Sequence, residues 1–199
     1  MLKKLPIYKA LINSEDEGMY CISLVDDPAV ETAWMAFNKD EQPLKFAVEN
    51  EDKHIVRGVI MRADFPIYRV GISGFEYLIE YDKETIRIMA EKYLYDGFQN
   101  NVDTQHNNKL EQGVNLVQWF IKDTENGINP KGFEDIEDGS LFAEYKVNNE
   151  EIWQQIKDGT FKGFSLAGFF DTVLVEEPQD EEEQEILNLI AKIKSKLNK

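Results

Sequence analysis

The clearest pattern in the chain is a pair of β-prone runs flanking a polar stretch in PLKFAVENEDKHIVRGVIM, residues 43–61. Apolar and β-branched positions on both sides of ENEDK predict a hairpin, with strands near 44–49 and 54–61. The period then changes. From Asp82 onward Ile86, Met89, Ala90, Tyr93 and Leu94 recur at helical spacing, with Asp82 placed to cap the start and Gly97 to end it. GVNLVQWFIKD (113–123) and SLFAEYKV (140–147) read as strands; in the second, Leu141, Ala143, Tyr145 and Val147 alternate with Phe142, Glu144 and Lys146. Between them TENGINPKGFEDIEDG (124–139) is rich in Gly, Asn and acids, and reads as a loop, either a lid or a surface excursion. A second helix is predicted from Asn148 or Asn149, with Ile152, Trp153 and Ile156 inward and a stop at DGT. That stop places KGFSLAGFF (162–170) in a strand leaving a turn, with Ser165 early in it. Strands outnumber helices and no 20–50-residue period repeats, so the pattern predicts an α+β protein: a mainly antiparallel sheet or β-barrel with a few packed helices.

Composition narrows the function classes. A chain of 199 residues with 42% hydrophobic content can bury a full core, and one domain with a tail is expected: 1–175 as the domain, 176–199 as an appendage. In that appendage Glu176 to Glu185 carries seven carboxylates and no base, while Ile186 to Lys199 carries four lysines and no acid. Ile186, Leu189, Ile190, Ile193 and Leu197 follow helical spacing, which predicts an amphipathic helix behind an acidic linker, packed on the domain or free to dock or oligomerise. A formal charge of −16 repels phosphate backbones and argues against nucleic-acid binding. The single Cys21 lies in the apolar run MYCISLV, where a buried thiol is the ordinary reading, and it leaves neither an internal disulfide nor a multi-cysteine metal site. No apolar run reaches about 18 residues, so membrane insertion is not expected, nor is export.

The candidate chemistry centres on few residues. A serine hydroxyl needs a base to take its proton, and histidine suits that task near neutral pH. Only His54 and His106 are available. His54 opens a strand whose Val56, Gly58 and Ile60 share a face, which suits a strand-end surface or core imidazole; His106 sits in NNVDTQHNNKL (100–110), with no apolar face to explain it. Taken alone, Ser165 reads as an ordinary strand serine. Gly163 and Gly168 permit close backbone approach of a substrate, but the spacing is not the G-x-S-x-G elbow. P-loop, G-x-G-x-x-G, H-E-x-x-H and calcium-loop patterns are absent from the sequence.

Four stretches in order resemble the XkdF-like phage serine proteases, a branch of the prohead maturation proteases: ISLVDDPAV (22–30), RGVIMRADFPIYR (57–69), NNVDTQH (100–106) and EIWQQIKDGTFKGFSLAGFF (151–170). The resemblance spans about residues 20–175 and implies a herpesvirus assemblin-like β-barrel surrounded by helices. It also implies Ser165 as nucleophile and His106 as base, with no metal or organic cofactor. The third member is open among Asp171, Glu144 and Asp103, the first two ranked ahead. Ala167 departs from the family, in which that position is often Glu. The implied task is cleavage of the phage scaffold protein and major capsid protein, and of the protease itself, inside the prohead in the host cytoplasm. A homodimer is a possible assembly, with no nucleic-acid or membrane partner. The alternative is a catalytically inactive structural or scaffold-associated capsid assembly protein with the same fold.

Overall fold

The computed structural model describes residues 5–26, 47–50, 53–70 and 73–176. Of the strand predicted at 44–49, residues 47–49 lie in β3 (Ala47–Asn50) and 44–46 lie outside the described residues; the hairpin partner of β3 is β4 (Ile55–Met61). Ahead of them come β1 (Ile7–Leu11) and β2 (Gly18–Val25). After them β5 (Ile67–Val70) and β6 (Glu76–Glu80) lead into helix α1 (Lys83–Tyr95). Asp82 caps α1 as expected, its carboxylate accepting the Thr85 amide N–H at 2.7 Å. Ile86, Met89, Ala90 and Tyr93 are buried, but Leu94 is 41% exposed, so the apolar stripe stops one residue short of its predicted end. Strands β7 (Val102–Thr104), β8 (Val114–Ile121) and β9 (Leu141–Val147) follow, then α2 (Glu150–Lys157), β10 (Gly163–Phe169) and β11 (Asp171–Glu176). Asn149 caps α2 by accepting the Glu151 and Ile152 amides, and Ile152, Trp153 and Ile156 face inward.

The strands form three sheets, ordered β11-β1-β6-β5, β10-β2-β7 and β3-β4-β9-β8. Pairing is antiparallel except for β1 with β6 and β2 with β7. The expected barrel is corrected here: closure needs every strand to have two ladder neighbours, and β11, β5, β10, β7, β3 and β8 each have one among the described residues. Strand β10 packs alongside β4 without joining its ladder. The fold of the described residues is thus α+β, mostly sheet with two helices on open sheets. One core links the three sheets, with Ile22, Leu24, Val56, Met61, Ile79, Tyr145 and Trp153 essentially inaccessible.

Strand β9 departs from its predicted alternation. Leu141, Ala143, Tyr145 and Val147 are buried, but so are Phe142 and Glu144, because β9 lies between β4 and β8 and its other face is also covered. The cover is the loop read as a lid or excursion: Phe133 and Ile136 pack with Val59 and Phe142 as a satellite cluster. Buried Lys122 fastens that loop by donating to the carbonyls of Phe133, Glu134 and Ile136. An ammonium with three acceptors is satisfied in the interior, and the segment is an anchored excursion. Residues 177–199 lie outside the described residues, and with them the predicted tail helix; Glu176 belongs to β11.

Candidate active site

Strand β2 is the middle of its sheet, and the site is built on one row across it. Ser165 of β10 pairs with Ser23 of β2 in antiparallel register, and Ser23 pairs with Asp103 of β7 in parallel register. Residues directly opposite across a ladder project to the same face. Two hydroxyls and one carboxyl therefore stand side by side. The register depends on an irregularity farther along: Ala167 pairs with Cys21 but Gly168 with Met19, so Tyr20 is the extra residue of a β-bulge. The strands crowd there, and a Cβ on Gly168 would lie 2.7 Å from the Gly18 carbonyl oxygen. Gly168 is thus required by the neighbouring strand, a use the sequence did not suggest.

His106 follows β7 in a tight reversal. Gln105 and His106 are both left-handed, with φ of 53° each, and Asn108 has φ 60°. Such backbone is uncommon outside glycine, with Asn and His among the more tolerant residues. Local bonds hold it: the Gln105 amide donates to the Leu24 carbonyl at 2.9 Å, Asn107 N–H to the Thr104 carbonyl at 3.1 Å, and Lys109 N–H to Asn107 Oδ1 at 2.7 Å. The reversal carries the imidazole back over the row. Its Nε2 lies 2.9 Å from Ser165 Oγ and its Nδ1 lies 2.8 Å from Ser23 Oγ. Ser23 Oγ also makes a short hydrogen bond to Asp103 Oδ1, and Asp103 Oδ2 accepts the Asn108 amide at 2.9 Å.

Exposure separates the two serines. Ser23 is 0% and Asp103 2% exposed, whereas Ser165 reaches 9% and the His106 side chain stands at the surface. Solvent therefore reaches Ser165 and the imidazole edge first, with Ser23 and Asp103 beneath. Burial pushes the Cys21 thiol up to about 11, and the nearby Asp103 carboxylate adds to the shift. That makes Cys21 a protonated packing residue.

The match with known proteins decides the family. The model of the family described as "Putative phage serine protease XkdF" covers residues 43–174, from the β3 region through β11 and including His106 and Ser165. The chain belongs to that family. No curated protein and no solved structure matches it. In this XkdF-family protein Ser165 and His106, 59 positions apart in the chain, meet in space at hydrogen-bond distance.

The other candidates fall elsewhere. Glu144, 3% exposed on β9, accepts Arg57 Nε at 2.7 Å and is neutralised there. Asp171, exposed at the start of β11, accepts the Asn13 amide at 3.1 Å. Neither has a hydrogen bond to His106 among the described residues, and of the three acids considered only Asp103 joins the imidazole, through a serine. Ser23 was missed, although a lone polar residue in MYCISLV carries the same signal as Ser165 in its own apolar run. His54, half-buried at the strand end, stacks on Trp153 with ring centroids 4.6 Å apart and has its Nδ1 3.2 Å from the Val147 carbonyl. Among the described residues no group of three His, Cys, Asp or Glu could hold a metal ion, and no helix is long and apolar enough to cross a membrane.

Proposed function

We propose that this XkdF-family protein is a serine endopeptidase in which Ser165 attacks the scissile carbonyl and His106 is the general base. The observation that carries the reading is the 2.9 Å approach of His106 Nε2 to Ser165 Oγ, at the exposed end of an otherwise buried polar row. In acylation a bond forms between Ser165 Oγ and the carbonyl carbon while the hydroxyl proton passes to Nε2. Collapse of the tetrahedral intermediate breaks the C–N bond, and the same proton leaves with the amine. Water, deprotonated by the same nitrogen, then releases the acyl group and regenerates Ser165.

The substrates proposed are the phage scaffold protein and major capsid protein, and the protease itself, cleaved within the prohead; membership in a phage family is what supports this setting. The test is fluorophosphonate labelling of the full chain with peptide mapping, beside Ser165→Ala and His106→Ala. Labelling confined to Ser165 and lost in both variants is the expected result. Absence of labelling at high protein concentration and with scaffold present would overturn it in favour of a non-catalytic capsid component.

A further inference from the structure

The row beneath the imidazole has a hydrogen-bond direction that can be worked out from its donors and acceptors. As a carboxylate, Asp103 only accepts. It takes the Asn108 amide proton on Oδ2 and, having none of its own to give, the Ser23 hydroxyl proton on Oδ1. With its single proton committed there, Ser23 Oγ can meet His106 Nδ1 only as an acceptor, and Nδ1 must carry the imidazole proton. A neutral imidazole with Nδ1–H has its lone pair on Nε2, the atom 2.9 Å from Ser165 Oγ. Each direction follows from the one before it. The Asp103 carboxylate therefore determines, two hydrogen bonds away, which ring nitrogen is free to accept a proton.

We propose that Ser23 is a positioning residue that links His106 to the buried Asp103, so that the working unit is Ser165, His106, Ser23 and Asp103 in series. This rests on the reading of Ser165 and His106 given above. The carboxylate is 2% exposed, its two bonds come from neutral donors, and no cation pairs with it among the described residues. When His106 gains the proton of Ser165, the positive charge that forms is the natural complement of that acid. Ser23 carries the interaction without moving a proton to Asp103: the imidazolium Nδ1–H still donates to Ser23, and Ser23 still donates to Asp103. The inserted hydroxyl lets the acid stay in the sheet row while the ring sits above it at the surface.

Two substitutions in the full chain perturb the series in different ways. Ser23→Ala removes the acceptor for Nδ1–H and leaves the tautomer unset. Asp103→Asn reverses the chain: Asn108 N–H still requires the oxygen of the side chain, so the new NH2 group faces Ser23, which then donates to Nδ1 and leaves Nε2 protonated against Ser165. The measurement is nitrogen-15 NMR of the imidazoles, with His54 as internal reference, beside the fluorophosphonate labelling rate at Ser165. Expected are an Nδ1–H tautomer for native His106, an Nε2–H tautomer in Asp103→Asn with labelling slowed about 10³- to 10⁴-fold, as for a wrongly set tautomer, and a smaller loss of about 10- to 100-fold in Ser23→Ala. Native Nε2–H, or a tautomer unmoved by Asp103→Asn, would overturn the proposal, as would labelling of Ser23→Ala within threefold of native. Should Asp103→Asn fail to fold, Ser23→Ala, which deletes one oxygen, decides it. If native protein does not label, the endopeptidase reading fails, and the tautomer measurements still judge the series independently.

Discussion

Replacing Gly168 with alanine tests whether the spacing of β10 against β2 sets the position of Ser165. The new Cβ would stand 2.7 Å from the Gly18 carbonyl oxygen, with Met19 Cα at 3.2 Å and the Gly18 carbonyl carbon at 3.3 Å. All three are backbone atoms, so no side chain can swing away. Ordinary contact begins at 3.4 Å, and the strands must part by up to the difference, 3.4 − 2.7 = 0.7 Å. Overpacking of this kind costs about 1–3 kcal/mol, which for a chain of this size lowers Tm by about 2–12 °C. The chemistry is more sensitive than the fold. A 1 Å misplacement of a reacting group costs on the order of 10²-fold, and Ser165 is three residues from the clash on the same strand, so labelling at Ser165 should slow roughly tenfold or more. Thermal melts by circular dichroism and fluorophosphonate labelling well below the melt read the two effects apart. Unchanged Tm would refute the crowding argument. A lowered Tm with native labelling would show instead that the bulge at Tyr20 absorbs the shift before it reaches the serine.

Two further predictions concern the surrounding structure. Lys122→Met strips three carbonyls of their shared donor; since bonds to a charged group contribute about 1.5–3 kcal/mol each and the lost ammonium no longer needs desolvation, a net loss of about 3 kcal/mol is expected. Hydrogen exchange should rise across 123–140, and exchange as slow as native would sink the claim that this lysine anchors the loop. Alkaline pH should destabilise the fold. Burial raises Cys21 from 9.0 to about 11 and Tyr81 from 10.0 to about 12, so the unfolded chain releases these protons first and stability, complete below pH 9.0, falls as pH rises through the folded values. Urea midpoints from pH 8 to 11 should decline, less steeply in Cys21→Ala between pH 9 and 10; identical slopes in the two proteins would rule out the thiol as a contributor.

Much of the local structure was written in the periodicity. The hairpin flanking ENEDK, the Asp82 and Asn149 caps and the strand bearing Ser165 are all where the pattern puts them, because each depends on neighbours a few residues apart. The quoted motifs also singled out Ser165 and His106, and the family match spans both. Tertiary structure decided three things. It left the sheets open, because ladder partners are chosen between segments distant in the chain. It buried both faces of β9, because the 123–140 loop folds over Phe142, and no alternation within LFAEYKV can report a cover supplied from elsewhere. It also set one of the three acids beside the imidazole and the other two apart from it. Asp103, Glu144 and Asp171 are equivalent as residue types, but only the parallel register of β2 with β7 sets Asp103 beside Ser23, and only the left-handed turn at Gln105 and His106 brings the ring over both. Sequence spacing fixes which side chains share a face of one strand; which strands lie side by side is settled by the burial of the whole core, and the site is made between strands.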